Sequence, residues 1–193
     1  MARTPSSMLA LGTVAPNFEL PDTQTNQVVQ LSDIRGEQGT LIVFICNHCP
    51  FVIHLIEPLA QLANTYLKKG IGVAFISSND VENYPQDGPE QMYDFGQEHQ
   101  FEFPYLYDES QSVAQSYDAA CTPDFYLFDP KDRLVYRGQF DDSRPGNEIP
   151  VSGKSLQEAL ENLIQGKSPL SNQHPSLGCN IKWKAENRPP DHY

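Results

Sequence analysis

The chain has 193 residues, with 13 Lys+Arg against 25 Asp+Glu, a net charge of −12. That length suits one domain able to bury roughly 70% of its unfolded surface, so no metal or disulfide staple is needed for folding. The acidic balance argues against nucleic acid or an anionic membrane surface as the main partner. Met1 to Ala15 holds no apolar run long enough for a signal-peptide core. The longest such run, Thr40 to Cys46, is strand-length, so no membrane span is expected. The expectation is a cytoplasmic protein of one domain over residues 1–167, with a tail at 168–193 packed on it or extending from it.

In chain order, Asn17–Leu20 and Gln27–Leu31 predict an N-terminal hairpin. Leu41–Ile45 is continuously apolar and reads as a strand buried on both faces. Pro50 suits a first helical turn, and Val52, Leu55, Ile56, Leu59, Leu62, Ala63 and Tyr66 form a helical stripe. Pro58 should kink that helix. Ile71–Ser77 is a second buried strand, which completes a βαβ unit and a parallel pair. A polar loop over Asn79–Pro89 precedes a helix from Glu90 to Glu98 and a short strand at Pro104–Tyr107. Ser110 can cap a brief helix through Tyr117. Phe125–Phe128 and Leu134–Phe140 flank the turn Asp129-Pro130-Lys131-Asp132 as an antiparallel pair. Ser152 or Ser155 opens a last amphipathic helix, closed by Gly166.

The four cysteines are Cys46, Cys49, Cys121 and Cys179. Only Cys46-Asn47-His48-Cys49 brings two of them close, which is half of a zinc site without its other half. A solitary C-x-x-C in a chain lacking a secretory signal points to catalytic redox chemistry. Here it falls on a strand-to-helix junction, with Cys46 at or just before the helix N-terminus.

That junction, with Thr122-Pro123 about 70 residues further on, resembles the thioredoxin fold. The hairpin and the insertion after the second strand look like the AhpC/TSA-redoxin and TlpA/ResA branch of that superfamily. Cys46-Asn47-His48-Cys49-Pro50-Phe51, Thr122-Pro123-Asp124 and Gly178-Cys179-Asn180-Ile181-Lys182-Trp183 are similar to a bacterial family of uncharacterised thioredoxin-like proteins. The resemblance implies a three-layer α/β/α fold with a mixed central sheet. It also implies a nucleophile at Cys46, a resolving thiol at Cys49 and a cis-proline at Pro123 facing them. Thr122 would then pair with the backbone of a substrate across an exposed sheet edge.

Disulfide exchange needs a thiolate, and a cysteine near pKa ~8.5 is mostly protonated at neutral pH. A helix N-terminus and a neighbouring His48 both favour the ionised sulfur. Histidine before the second cysteine resembles DsbA and protein disulfide isomerase, poised near −120 and −180 mV against about −270 mV for thioredoxin. Two positions depart from these relatives. Ile45 stands where tryptophan is common, and Thr40 stands where thioredoxin keeps a buried aspartate. Glu57 is only a distant candidate base, and His54 should pack or face water. Cys121 reads as a buried hydrophobe, with a third redox thiol as the alternative. Cys179 reads as an anchor of the tail with Ile181 and Trp183, with a resolving thiol as the alternative.

Two rival functions meet obstacles. A peroxiredoxin-like antioxidant enzyme needs P-x-x-x-[ST]-x-x-C, and neither Cys46 nor Cys49 is preceded by it. A Sco-like copper or zinc carrier usually spaces its pair as C-x-x-x-C. The expectation is therefore a thiol-disulfide oxidoreductase with no bound cofactor and no metal. Its partners would be protein or low-molecular-weight thiols and disulfides, plus a dithiol that exchanges electrons with it.

Overall fold

Gly39 to Phe44 are buried at every position, so this strand lies between two apolar layers. Its β-branched and aromatic side chains alternate between them, as a pleat of period two requires. Leu41, Val43 and Ile45 join one core, while Ile42 and Phe44 join the other.

In the computed structural model, which describes residues 3–189, the strands are β1 (Arg3–Pro5), β2 (Glu19–Pro21), β3 (Val28–Gln30), β4 (Gly39–Phe44), β5 (Ile71–Ser77), β6 (Tyr105–Tyr107), β7 (Cys121–Thr122), β8 (Asp124–Phe128), β9 (Leu134–Tyr136) and β10 (Leu177–Asn180). The helices are α1 (Leu31–Ile34), α2 (Pro50–Ile53), α3 (Ile56–Leu67), α4 (Pro89–Glu98), α5 (Ser112–Ser116) and α6 (Lys154–Ile164). The central sheet has the order β6-β5-β4-β8-β9. β4, β5 and β6 run parallel, and β8 and β9 are antiparallel. One face carries α3, α4 and α6; the other carries the β2–β3 hairpin, α1 and α5. This is the three-layer α/β/α thioredoxin fold with a mixed central sheet. No helix among the described residues is long and apolar enough to cross a membrane.

Three local expectations change. The kink expected at Pro58 is a full break: α2 ends at Ile53 and α3 starts at Ile56. Pro58 has no N–H for the His54 carbonyl, and its ring crowds that same carbonyl. Ser110 does not cap α5 directly, because Gln111 takes the cap position; the Ser110 hydroxyl instead accepts from the Ser112 N–H at 3.3 Å. β9 stops at Tyr136 rather than Phe140, since the next backbone donors turn away. Arg137 N–H donates to Gln173 Oε1 (2.8 Å) and Gln139 N–H to the His174 carbonyl (2.8 Å).

The C-terminal segment is built into the molecule. β10 lies between β1 and β7 in a second, three-stranded antiparallel sheet, so the first and last strands among the described residues pair with each other. Ile181 and Trp183 complete the core on the hairpin face. The strand β1 has no counterpart in the sequence reading, because three residues carry no usable periodicity.

Arg137 and Asp124 form a fully buried ion pair, closed by Nη2 to Oδ2 at 3.0 Å and by a second bond from Nη1 to Oδ1. The guanidinium also lies 3.8 Å over the Tyr126 ring. Removing one partner of such a pair leaves an uncompensated buried charge. Arg137→Ala should lower stability in urea unfolding by about 3–5 kcal/mol. A loss under 1 kcal/mol would show that the pair does not hold β8 to β9.

Candidate functional site

Parallel strands end on the same side of the sheet, so the segments after β4 and β5 lie beside each other. The first is Ile45-Cys46-Asn47-His48-Cys49, and the second contains Asp87. Asp87 is fully buried and its two oxygens accept four N–H groups. Oδ1 takes the backbone N–H of Asn47 (2.8 Å) and of His48 (3.3 Å). Oδ2 takes the His48 ring at Nδ1 (2.7 Å) and the Asn79 side chain (2.8 Å). A carboxylate only accepts, so the hydrogen of His48 resides on Nδ1 and Nε2 is left for proton exchange. His48 stacks on Tyr84 at 5.5 Å, and the Tyr105 hydroxyl donates to Asn47 Oδ1 at 2.9 Å. The C-x-x-C loop is thus fastened from the insertion.

The cis-proline loop approaches from the other side. The Thr122–Pro123 bond is cis, as the resemblance implies. Thr122 Oγ1 lies 3.4 Å from Cys46 Sγ, and the Thr122 carbonyl lies 3.2 Å from Cys49 Sγ. Cys49 Sγ is also 2.9 Å from Cys179 Sγ. Cys46, Cys49, Cys121 and Cys179 are all buried.

One sequence expectation is corrected here. The sheet edge at Thr122 is not exposed, because β10 occupies it, with Cys179 opposite Thr122 and Asn180 opposite Cys121. Gly178 makes this possible: a Cβ there would sit 2.0 Å from the Thr122 carbonyl oxygen. The two thiols of the C-x-x-C shift in opposite directions. Hydrogen bonding with the Cys179 and Cys46 sulfurs outweighs burial and holds the Cys49 thiol well below its ordinary value. When protonated, Cys49 has the Thr122 carbonyl as its acceptor. Cys46 moves the opposite way, raised by its hydrogen bond to Cys49, then by burial and by the Asp87 charge.

The remaining candidates fall away from the sulfurs. Cys121 is fully buried, and burial pushes its thiol up, the profile of an inert core cysteine. His54 bonds Ser143 Oγ at 2.7 Å, and Glu57 pairs with the His99 ring at 3.3 Å on the surface. Asp87 is the functional residue the sequence reading missed. Its only signal was its position in the loop after the second of two parallel strands.

A ring nitrogen of His48, Cys46 Sγ and an Asp87 oxygen lie within 4.8 Å of one another, close enough to consider a metal. The donors are already committed: Nδ1 and both carboxylate oxygens are engaged in the hydrogen bonds above. A soft ion would also find mixed sulfur, nitrogen and oxygen rather than paired thiolates. The trio fits proton handling better than metal binding.

The AhpC/TSA family model matches residues 11–137, which span the hairpin, the C-x-x-C junction and the cis-proline. The chain belongs to the AhpC/TSA family. An uncharacterised conserved protein from Geobacillus kaustophilus is 51% identical, with TM-score 0.94 over 96% of this chain and 98% of that one. A hypothetical protein from Sinorhizobium meliloti 1021 is 44% identical, with TM-score 0.92 over 94% and 99%. The thiol-disulfide oxidoreductase ResA of Bacillus subtilis is 28% identical over 129 residues. The chain spans 64% of the length of that curated relative, and the match covers 64% of this chain. The AhpC/TSA match and the likeness to ResA agree with the thioredoxin-like resemblance of the C-x-x-C junction. They also overturn the cytoplasmic expectation: ResA and the fold neighbour DsbE from Chlorobium tepidum are extracytoplasmic thiol-disulfide oxidoreductases. That expectation rested on the missing apolar leader in Met1–Ala15, and this feature does not fix a compartment.

The Asp87 charge gives a test with a definite sign. Asp87→Asn removes a negative charge that disfavours the Cys46 thiolate, so the Cys46 thiol should ionise at lower pH. Alkylation rate against pH, with modified Cys46 followed by peptide mass, is expected to show its midpoint moving down in D87N. Cys49 should keep its low midpoint. An upward shift at Cys46 would mean that the carboxylate acts chiefly by holding the loop.

Proposed function

We propose that this protein is a thiol-disulfide oxidoreductase that cycles Cys46 and Cys49 between dithiol and disulfide. The observation that carries the reading is the meeting of both sulfurs with the cis Thr122–Pro123 loop at 3.4 and 3.2 Å. Nothing in that arrangement needs a bound cofactor, and the electrons come from or go to another dithiol.

The order of events follows from where protons sit. The His48 ring, with a nitrogen within 4.8 Å of Cys46 Sγ, takes the Cys46 proton as a substrate disulfide arrives, a base that Thr40 and Glu57 do not supply. Cys46 Sγ attacks one substrate sulfur, and the electron pair leaves with the other. Cys49, the more acidic sulfur, then attacks Cys46 Sγ as its thiolate and releases the second substrate thiolate. The substrate is reduced by two electrons and the Cys46–Cys49 disulfide forms. Thr122 holds Cys46 through its hydroxyl, Pro123 packs beside the sulfurs, and His48 relays protons through Nε2 while Asp87 orients its ring. The C-N-H-C-P-F sequence thus works as a unit: two thiols, a proton carrier, its backbone anchor and a helix-starting proline.

Substrate class and direction are set by the potential. The His48–Asp87 pair sits beside the reduced thiols, as histidine does in the more oxidising relatives, so the couple should lie above thioredoxin's value of about −270 mV. Titration against glutathione measures it, and a value at or below thioredoxin's sinks this placement.

Cys49→Ser should trap a mixed disulfide on Cys46, while Cys46→Ser should abolish disulfide reduction, a loss of at least about 10³-fold for removing a nucleophile. Insulin reduction and mass spectrometry of the trapped species check both. Retained turnover in C46S would rule out Cys46 as the attacking sulfur.

A further inference from the structure

We propose that Cys179 is a third redox thiol, which attacks the Cys46–Cys49 disulfide at Cys49 and becomes its new partner. The inference rests on the oxidoreductase reading for the origin of the first disulfide. Its own support is geometric.

Cys49 is the common neighbour of the other two sulfurs. It lies 2.9 Å from Cys179 Sγ, about 0.9 Å beyond a disulfide bond length, and is hydrogen-bonded to Cys46 as well. In thiol–disulfide exchange the attacked sulfur must have the incoming and the leaving sulfur both within reach. Cys49 meets that condition, whereas Cys121 Sγ faces the Pro123 carbonyl at 3.7 Å.

The position of Cys179 is also fixed by backbone. β10 pairs with β7 so that Cys179 stands opposite Thr122, the residue before the cis-proline. That is the register in which a disulfide-bearing substrate strand was expected from the sequence. The close approach of Gly178 to the Thr122 carbonyl leaves no room for a side chain, so the strand is seated against the site rather than laid loosely over it. Contacts with α2 hold it from the other side. The C-terminal strand therefore occupies the substrate's place and delivers a sulfur there.

The step balances without an outside reagent. The Cys49–Cys179 bond forms and the Cys46–Cys49 bond breaks. The electron pair departs on Cys46 Sγ, and the proton lost by Cys179 is regained at Cys46, with His48 Nε2 as the carrier. No net oxidation occurs within the chain. The outcome is a Cys46 thiol beside Thr122 and an oxidised pair that staples the C-terminal strand to the start of α2.

The test uses the full chain. Wild type, C46S and C179S are each oxidised with excess glutathione disulfide, quenched with acid, alkylated and mapped by peptide mass spectrometry. Wild type is expected to hold most of its oxidised population as Cys49–Cys179, and C46S should form the same link. The link in C46S closes a loop of 130 residues, so oxidised C46S should need more urea to unfold than reduced C46S. If C46S fails to fold, C46A takes its place. The proposal is overturned if C46S and wild type form no Cys49–Cys179 link under conditions that link Cys46 to Cys49 in C179S. Failure of C179S to form the Cys46–Cys49 link, with the Cys49–Cys179 link present in C46S, would instead remove the oxidoreductase cycle as the source of the disulfide.

Discussion

Gly178 and the Thr122 carbonyl meet at a spacing that admits no Cβ, and the arrangement of the site follows from that contact. It allows β10 to lie flat along β7, which sets Cys179 opposite Thr122 and against Cys49. The same strand pairs with β1, so the first and last described strands close one small sheet. Beyond β10, Ile181 and Trp183 reach the hairpin-side core, and the Lys182 N–H donates to Asn79 Oδ1 at 2.8 Å. Asn79 in turn donates to Asp87, so the C-terminal segment is tied by hydrogen bonds to the residue that orients His48. The cis-proline loop, the insertion and the C-terminus act as one assembly.

The electrostatics of that assembly are unusual for a C-x-x-C site. Burial raises a thiol, and an adjacent carboxylate raises it further, so Cys46 on its own is poorly disposed to ionise. The chain compensates through neighbours rather than through the helix. Hydrogen bonds with the Cys179 and Cys46 sulfurs lower the Cys49 thiol where solvent cannot reach it. The four-residue α2, which ends at Ile53, has little dipole to offer. A short helix, a buried carboxylate and a third sulfur form a set that divides one proton problem among several groups.

Much of the scaffold was legible because its signals are periodic or covalent. Leu41–Ile45 and Ile71–Ser77 are apolar runs that only a doubly covered strand explains, and both are strands. The C-x-x-C spacing and Thr122-Pro123 marked the site without any coordinates. Asp87 was not legible, since one carboxylate in a polar loop looks like any other until the parallel strands align their ends. Arg137 was hidden for a similar reason: a charge near a strand end suggests solvent, yet it pairs with Asp124 in the interior. Cys179 read as a tail anchor, with a resolving thiol as the alternative, because 130 residues separate it from Cys49 and nothing local encodes that contact.

The opening features divide along the same line. Length, hydrophobic patterning and the four cysteines determined an α/β fold with a dithiol at a strand–helix junction, because those are properties of short windows of chain. Tertiary structure alone decided which sulfurs touch, how burial and neighbours shift each thiol, and that the edge beside the cis-proline is filled by a strand of the same chain. Such contacts depend on strand order and close backbone approach, which arise only when distant segments share one core.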